Sequence, residues 1–393
     1  MKILFICGSL EPGKDGVGDY TASLASELIG KGHQAMIVGL ADGHVEHLIE
    51  AARTERGRSV PCRRIPKSES WEAKLASLRQ AVDAFDPDWI SFQFVPWTYQ
   101  KKGCVFGLGA KLRAAIGSGR RVQVMFHELW IGASADDPPA QRIFGFVQKL
   151  SIRALLRTLR PDLCHTSNPV FLRRLSALEP GSRLLPLFGN IPIVDGSPAE
   201  ALDLIAAHSG GAPGPGGRGD WILAGVFGTI HPAWDPADAL ADCLKHVGEG
   251  GKKLAIVLIG RNGSLKERLR ERLRARFGDR LHWIEVGPQP ASVLSQLFRI
   301  LDFAFATSPL PLIGKSGSAL AMLEHGVPLL VTRLAGAEAY EPGEIQAHLP
   351  GNIFVYKEGA FDWSAVSTAK SEPASKLPEV AGRFADHLAT HES

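Results

Sequence analysis

The sequence predicts an α/β protein made of two Rossmann-like domains, on three observations. Short apolar runs alternate with segments of helical period along most of the chain. A Gly/Pro-rich stretch, Ser209–Gly219, separates two such series. In the second series three runs end directly in glycine, at Gly228, Gly260 and Gly287, as strands do when their carboxyl edge faces a ligand.

The first series opens with the almost wholly apolar run Lys2–Cys7, a strand covered on both faces. The loop Gly8–Gly18 leads into a helix over Asp19–Lys31, with Gly32 at its C-terminal cap, and a strand over Gln34–Leu40. Trp71, Leu75, Leu78, Val82 and Phe85 mark one helical face, which Pro87 ends. Strands follow at Trp89–Val95, Arg121–Phe126, Asp162–Thr166 and Leu184–Phe188, with a long helix over Arg142–Leu159. Ser197-Pro198 starts a helix reaching about Ala207. The second series reads as strands at Trp221–Phe227, Lys253–Ile259, Leu281–Val286, Phe303–Ala306 and Pro328–Val331. Its helices fall at Asp235–His246, Leu265–Phe277, Ser292–Ile300 and Ser316–Glu324, and Leu377–Thr390 is a terminal helix. Ser264 and Glu267 have capping-box spacing. The expected organisation is residues 1–195, a linker at 196–220, a second domain over 221–375 and a helix at 376–393.

Composition narrows the function classes. The 393 residues suit two to three domains at about 150 residues each. Apolar residues at 45% and charged residues at 22% exclude a disordered chain. Lys+Arg 44 against Asp+Glu 41 argues against a general nucleic-acid binder. Five scattered cysteines without CxxC spacing argue against a disulfide framework or zinc cluster and fit a reducing cytoplasm. No signal peptide is expected, and no apolar run reaches the roughly 18 residues of a membrane helix. The basic stretch Lys266–Arg280, with Glu267, Glu271 and Asp279 interleaved, reads as a solvated helix face, with peripheral contact to anionic lipid at the inner face of a membrane as its alternative.

Several constellations carry chemistry. Gly16 and Gly18 sit between the first strand and helix, where backbone can approach a ligand and a helix N-terminus favours an anion. No GxGxxG can be drawn there, which argues against a dinucleotide-dependent oxidoreductase. Gly314-Lys315-Ser316 is not a P-loop, since Pro309 stands where the first glycine is required. Lys315, Ser316, Gly317 and Ser318 at a helix start still offer a charge, two hydroxyls and N–H groups to a diphosphate. His127-Glu128 follows a strand, where the imidazole either serves a substrate hydroxyl or is a satisfied structural group. His231 holds the equivalent place in the second half, and Arg261 follows Gly260.

Together these motifs resemble the GT-B glycosyltransferases, and among them the retaining family 4 enzymes. Gly16-Val17-Gly18-Asp19-Tyr20 is similar to the family's glycine loop, which approaches donor phosphates and acceptor. His127-Glu128 is similar to its H-D/E pair, where the histidine lies near the transferring sugar, and Ser167 to a serine ending the last N-domain strand. Gly189-Asn190-Ile191-Pro192 resembles its Asn-containing turn, and Gly260-Arg261-Asn262-Gly263 loosely its G-x-G turn. Leu320–Pro328 resembles the helix and turn written L-L-E-A-M-A-C-G-T-P. Two departures stand out. Matching Gly326-Val327-Pro328 to G-T-P puts Ile313 and Ala321 at the glutamates of E-x7-E, with Glu324 three residues further on. The Arg and Lys after the first C-domain strand are replaced by Gly228-Thr229-Ile230-His231-Pro232.

The resemblance implies two domains across a cleft and sugar transfer from a nucleotide-diphosphate donor to a glycan or glycolipid, with no separate cofactor. Lys315, Arg261 and the N–H groups at Ser316–Ser318 would stabilise the leaving diphosphate. The nucleotide would lie near Gly228, Gly260 and Gly287, and the acceptor near Gly18 and His127. The catalytic candidates are His127, Glu128, Lys315 and Glu324. Asp136-Asp137, in a proline-rich loop, is no DxD metal motif, so metal independence is expected. The alternatives are a catalytically degenerate nucleotide-sugar-binding protein, which the missing glutamates favour, and an epimerase relying on Glu128 and Glu324.

Overall fold

The computed structural model describes residues 1–133, 137–209, 215–334 and 352–391. The chain divides into two compact units: Met1–Leu187 joined by the segment from Leu377 onward, and Phe188–Lys376.

The first unit holds an eight-stranded sheet. Its strands are β1 (Lys2–Cys7), β2 (Gln34–Asp42), β3 (Ile49–Glu55), β4 (Arg58–Pro66), β5 (Trp89–Phe94), β6 (Arg121–Phe126), β7 (Leu163–Thr166) and β8 (Arg183–Leu184). Their spatial order is β3-β4-β2-β1-β5-β6-β7-β8. Every pairing is parallel except the β3–β4 hairpin. Setting aside β3 and β8, the order is that of a doubly wound nucleotide-binding sheet. Ile3, Leu4, Phe5, Trp89, Phe94 and Phe126 are fully buried in its core. Helices α1 (Gly16–Gly30), α2 (Trp71–Phe85), α3 (Pro96–Tyr99), α4 (Leu108–Ile116), α5 (Pro139–Leu159) and α6 (Pro169–Ser176) connect the strands.

The second unit repeats the plan. Helix α7 (Pro198–His208) precedes β9 (Trp221–Phe227), α8 (Ala237–Glu249), β10 (Lys253–Ile259), α9 (Lys266–Phe277), β11 (Leu281–Gly287) and α10 (Ala291–Ile300). Then come β12 (Phe303–Ala306), α11 (Gly317–Glu324), β13 (Leu329–Val331), β14 (Ile353–Val355) and α12 (Trp363–Thr368). The all-parallel order is β11-β10-β9-β12-β13-β14. Its strand order reverses between β9 and β12, the switch point where such sheets bind ligands.

Three local expectations are corrected. The residues expected as a linker at 196–220 belong to the second unit instead: α7 forms within them, and Arg218 Nη2 pairs with Asp302 Oδ2 at 2.8 Å. Residues 210–214 of the Gly/Pro-rich stretch lie outside the described residues. The strand expected at Leu184–Phe188 is only Arg183–Leu184. The Ser264–Glu267 capping box does not form, because α9 starts one residue later behind Leu265, without a side-chain cap. Finally, α13 (Leu377–Ala389) returns to the first unit, where Phe384 is fully buried and stacks on Phe5 at 6.0 Å between centroids.

Candidate functional site: two sheet edges with polar ends

In the first unit, the ends of β1, β5, β6 and β7 meet at the carboxyl edge. His127 follows β6 directly; its backbone N–H donates to the Phe94 carbonyl, and its ring is buried. Tyr20, on α1 two residues past Gly18, meets the imidazole edge-on at 5.0 Å. Tyr20 is thus the α1 residue that meets His127. Glu128 is half-buried beside them. Ser167 follows β7, whose Thr166 pairs in register with Phe126. Its Oγ and the Asn168 Nδ2 are buried without a hydrogen-bond partner, and buried polar atoms in that state are rare enough to point to a ligand or water.

A buried polar wire fixes His127. His127 Nε2 donates to Gln93 Oε1 at 2.9 Å, and Gln93 Nε2 donates to Ser91 Oγ at 2.7 Å. Ser91 Oγ donates to Gln123 Oε1 at 2.6 Å, and Gln123 Nε2 to His165 Nδ1 at 3.0 Å. His165 Nε2 then donates to His387 Nδ1, on α13, at 2.9 Å. Each side-chain amide uses its oxygen toward one neighbour and its nitrogen toward the next, so one direction of donation satisfies the whole chain. That direction holds both His127 and His165 as Nε2–H tautomers. Gln93, Gln123 and His165 were not among the sequence candidates. Their signal was the polar residues inside otherwise apolar strands.

The loop after β1 differs from the expectation. Asp15 caps α1, and its carboxylate accepts the N–H groups of Val17 and Gly18 at 2.9 and 3.0 Å. The amides expected to meet an anion are therefore occupied. Gly16 is exposed with open space around it, whereas a Cβ at Gly18 would lie 2.2 Å from the Ser9 carbonyl oxygen. Gly18 is thus required by close packing of the α1 start on the loop. Asp42, at the end of β2, stands where a dinucleotide fold keeps its ribose-binding acid. It is fully buried and accepts from Ser9 Oγ, Leu10 N–H, His44 N–H and Arg64 Nε. Burial pushes its carboxyl up, but these partners outweigh it and hold it below the usual range. No lone carboxylate is left there for a ribose.

In the second unit the three predicted glycines are joined laterally. Gly228, Gly260 and Gly287 all adopt positive φ, which frees their strand ends to turn sharply. Gly260 N–H donates to the Gly287 carbonyl at 2.8 Å, and Asn262 Nδ2 donates to the Gly228 carbonyl at 3.0 Å. A Cβ on Gly228 would touch the Ser318 side chain at 3.0 Å. The end of β9 therefore lies against the α11 start, where Ser316 is the N-cap and its Oγ meets Ser318 Oγ at 3.2 Å. Gly317 sits in the first turn, near the Asn190 side chain, and Lys315 is half-buried just before it. Arg261 is exposed beside Gly260, and His231 is exposed past Gly228.

Sequence reasoning missed Arg333. It follows β13, half-buried, and its guanidinium donates to the Thr307 carbonyl at 3.4 Å, while Thr307 Oγ1 donates to Thr229 O at 2.8 Å. No carboxylate pairs with Arg333 among the described residues. Burial lowers its pKa, and burial together with the Arg333 charge lowers that of His231. A cation directly after a strand of the switch-point half was the available signal.

Glu324 is not at this edge. It ends α11 at the far side of the helix, 4% exposed, and its Oε1 accepts the Gly189 N–H at 2.7 Å. It anchors the Gly189-Asn190 turn, whose Gly189 packs on the Ala321 backbone. Ile313 and Ala321, at the positions matching E-x7-E, are fully buried apolar side chains. Asp136 lies outside the described residues, so the reading of Asp136-Asp137 rests on sequence alone.

No family model matches the chain, and no curated protein matches it by sequence. Solved structures do resemble it in shape. Anabaena HepE in complex with UDP and glucose superposes with a TM-score of 0.57 at 14% identity, over 99% of this chain and 100% of that one. The catalytic domain of Arabidopsis thaliana starch synthase IV, bound to ADP and acarbose, gives 0.56 at 12% identity over 100% and 98%. A putative UDP-N-acetylglucosamine 2-epimerase from Listeria monocytogenes gives 0.52 at 12%, over 99% and 96%. The fold class is thereby defined: the protein has the GT-B fold, two Rossmann-like domains in one chain.

Proposed function

We propose that the protein is a glycosyltransferase that moves a sugar from a nucleotide-diphosphate donor to a glycan or glycolipid acceptor, without a metal ion or separate cofactor. One observation carries the reading: the Ser316–Ser318 helix start lies against Gly228 at the switch point of the second sheet. The Ser316 N–H is taken by the Ile313 carbonyl, and the Gly317 and Ser318 N–H groups with two hydroxyls suit a diphosphate. Lys315, Arg333 and Arg261 supply positive charge for the leaving group, in place of the Arg and Lys that the resemblance led us to expect. In the first unit, the His127 ring is fixed through Nε2 by the wire and stands at the carboxyl edge of the sheet, as the group proposed to meet a sugar hydroxyl. The orphaned Ser167 Oγ is a second group for the acceptor or the transferred sugar.

Thermal melts with UDP-, GDP-, dTDP- and ADP-glucose, with NAD and NADP alongside, test the donor. A ligand at 100 times its dissociation constant adds about 2.7 kcal/mol. A shift with a nucleotide-sugar that Lys315→Ala removes supports the reading; a shift with NAD(P) alone overturns it.

Ile313 and Ala321 favour a second reading, a nucleotide-sugar-binding protein without turnover, because buried alkyl groups replace both carboxylates. The two readings part on whether a saturating donor is consumed.

A further inference from the structure

The geometry points to the outer face of α5 as a docking surface for an anionic lipid bilayer. Among the described residues, nine large apolar side chains are exposed, and four of them lie on α5: Ile143 (70%), Phe146 (60%), Val147 (36%) and Leu150 (41%). Their spacing of i, i+3, i+4 and i+7 places them in one stripe about 100° wide, at 3.6 residues per turn. The opposite face of the same helix is its buried face, through Gln148, Ile152, Leu155 and Leu159. α5 is therefore apolar on two sides, only one of which the first unit covers, and isolated water-soluble helices rarely carry such a second stripe.

Charge selects the occupant. The sequence of α5 contains Arg142, Lys149, Arg153 and Arg157 and no Asp or Glu. On the helical wheel the first three lie along one border of the stripe, and Arg157, about one turn past Arg153, stands in line with the stripe itself. A protein partner of mixed charge would ask for a mixed border, whereas a cation border beside Phe, Leu, Ile and Val is the pattern of a helix lying in an anionic lipid headgroup layer. No described helix is long and apolar enough to cross a membrane, so the mode is contact at the surface. This surface differs from Lys266–Arg280, where four of seven cations pair with acids: Lys266 and Arg270 with Glu285, Arg272 with Asp235, and Arg276 with Asp238. If the proposed transferase reading holds, bilayer docking through the unit that carries His127 favours an acceptor with a lipid anchor.

The test is co-sedimentation of the full chain with phosphatidylcholine vesicles and with mixed phosphatidylcholine/phosphatidylglycerol vesicles, with circular-dichroism melts to verify folding. The protein should pellet with the mixed vesicles and leave them as salt is raised. The exposed double variant F146E/L150E should abolish pelleting with an unchanged melt. R142Q/R153Q should lower partitioning roughly tenfold or more and flatten the salt dependence. Absence of pelleting, pelleting that survives F146E/L150E, or a lipid-free dimer that F146E/L150E dissociates would each overturn the inference. Nucleotide-sugar melts on the same samples keep the outcomes separate: vesicle binding without any donor shift sinks the transferase reading alone.

Discussion

Acidification should destabilise this protein through His165 before it reaches most carboxylates. The imidazole is fully buried, and burial, reinforced by the neighbouring His387 and Arg183 charges, brings its pKa down to about 3. In the unfolded chain it titrates at about 6.5. Between those values the unfolded state binds a proton that the native state refuses. The stabilisation is thus complete above pH 6.5 and is lost as pH falls toward 3. The slope for one such group is about 1.4 kcal/mol per pH unit, so lowering pH from 6.5 to 5 costs about 2 kcal/mol. His387 is also lowered, chiefly by burial, and acts in the same sense. The perturbation is His165→Gln, which keeps a hydrogen-bonding side chain that cannot take the proton. Urea unfolding of both proteins at pH 7 and pH 5 should give a smaller loss for the variant, by about 2 kcal/mol, whatever its stability at pH 7. In NMR titration the His165 ring should stay neutral down to pH 5. Equal losses for the two proteins, or a ring that titrates near 6.5, would refute the argument.

Other outcomes follow from single contacts. Glu324→Ala should lower stability by about 1–3 kcal/mol, because it leaves the buried Gly189 N–H without an acceptor, and Glu324→Gln should recover part of that loss. Urea midpoints check both, and intact stability with lost transfer would instead place Glu324 in the chemistry. Gly18→Ala should cost roughly 1–3 kcal/mol, since the new methyl meets the Ser9 carbonyl rather than a movable side chain; an unchanged melting temperature would remove the packing account. Arg333→Gln should weaken nucleotide-sugar binding measured by calorimetry while sparing the fold, and unaltered affinity would exclude it from the donor site.

Much of the architecture was legible because buried parallel strands need continuous apolar runs, and β1, β9 and β10 have them. The hairpin of β3 and β4 was not, since β3 reads Ile-Glu-Ala-Ala-Arg-Thr-Glu and is mostly exposed at the sheet edge. Its turn, Arg56-Gly57, has both residues at positive φ, a short-range signal of the two-residue hairpin. The candidate site was legible in its glycines and serines, which announce strand ends and helix starts locally. Glu324 misled because position on a helix does not tell which end faces the ligand. The wire showed only as single polar residues inside apolar strands, and its connection did not: its members come from β5, β6, β7 and α13, and only tertiary pairing brings them into line.

The return of α13 has a bearing on synthesis. Residues 377–389 reach the first unit only after the entire second unit has been made, so a nascent chain with both sheets translated still lacks Phe384 against Phe5 and His387 against His165. Domains that fold in order of emergence would leave the earlier one open at this seam until the later one is finished. A chain cut short after residue 376 would therefore lose a buried aromatic and the last link of the histidine relay in the domain furthest from the cut along the sequence. Incomplete chains would carry their defect in the half holding His127, exposing Phe5 as a hydrophobic mark by which chaperones or proteases sort them from finished molecules.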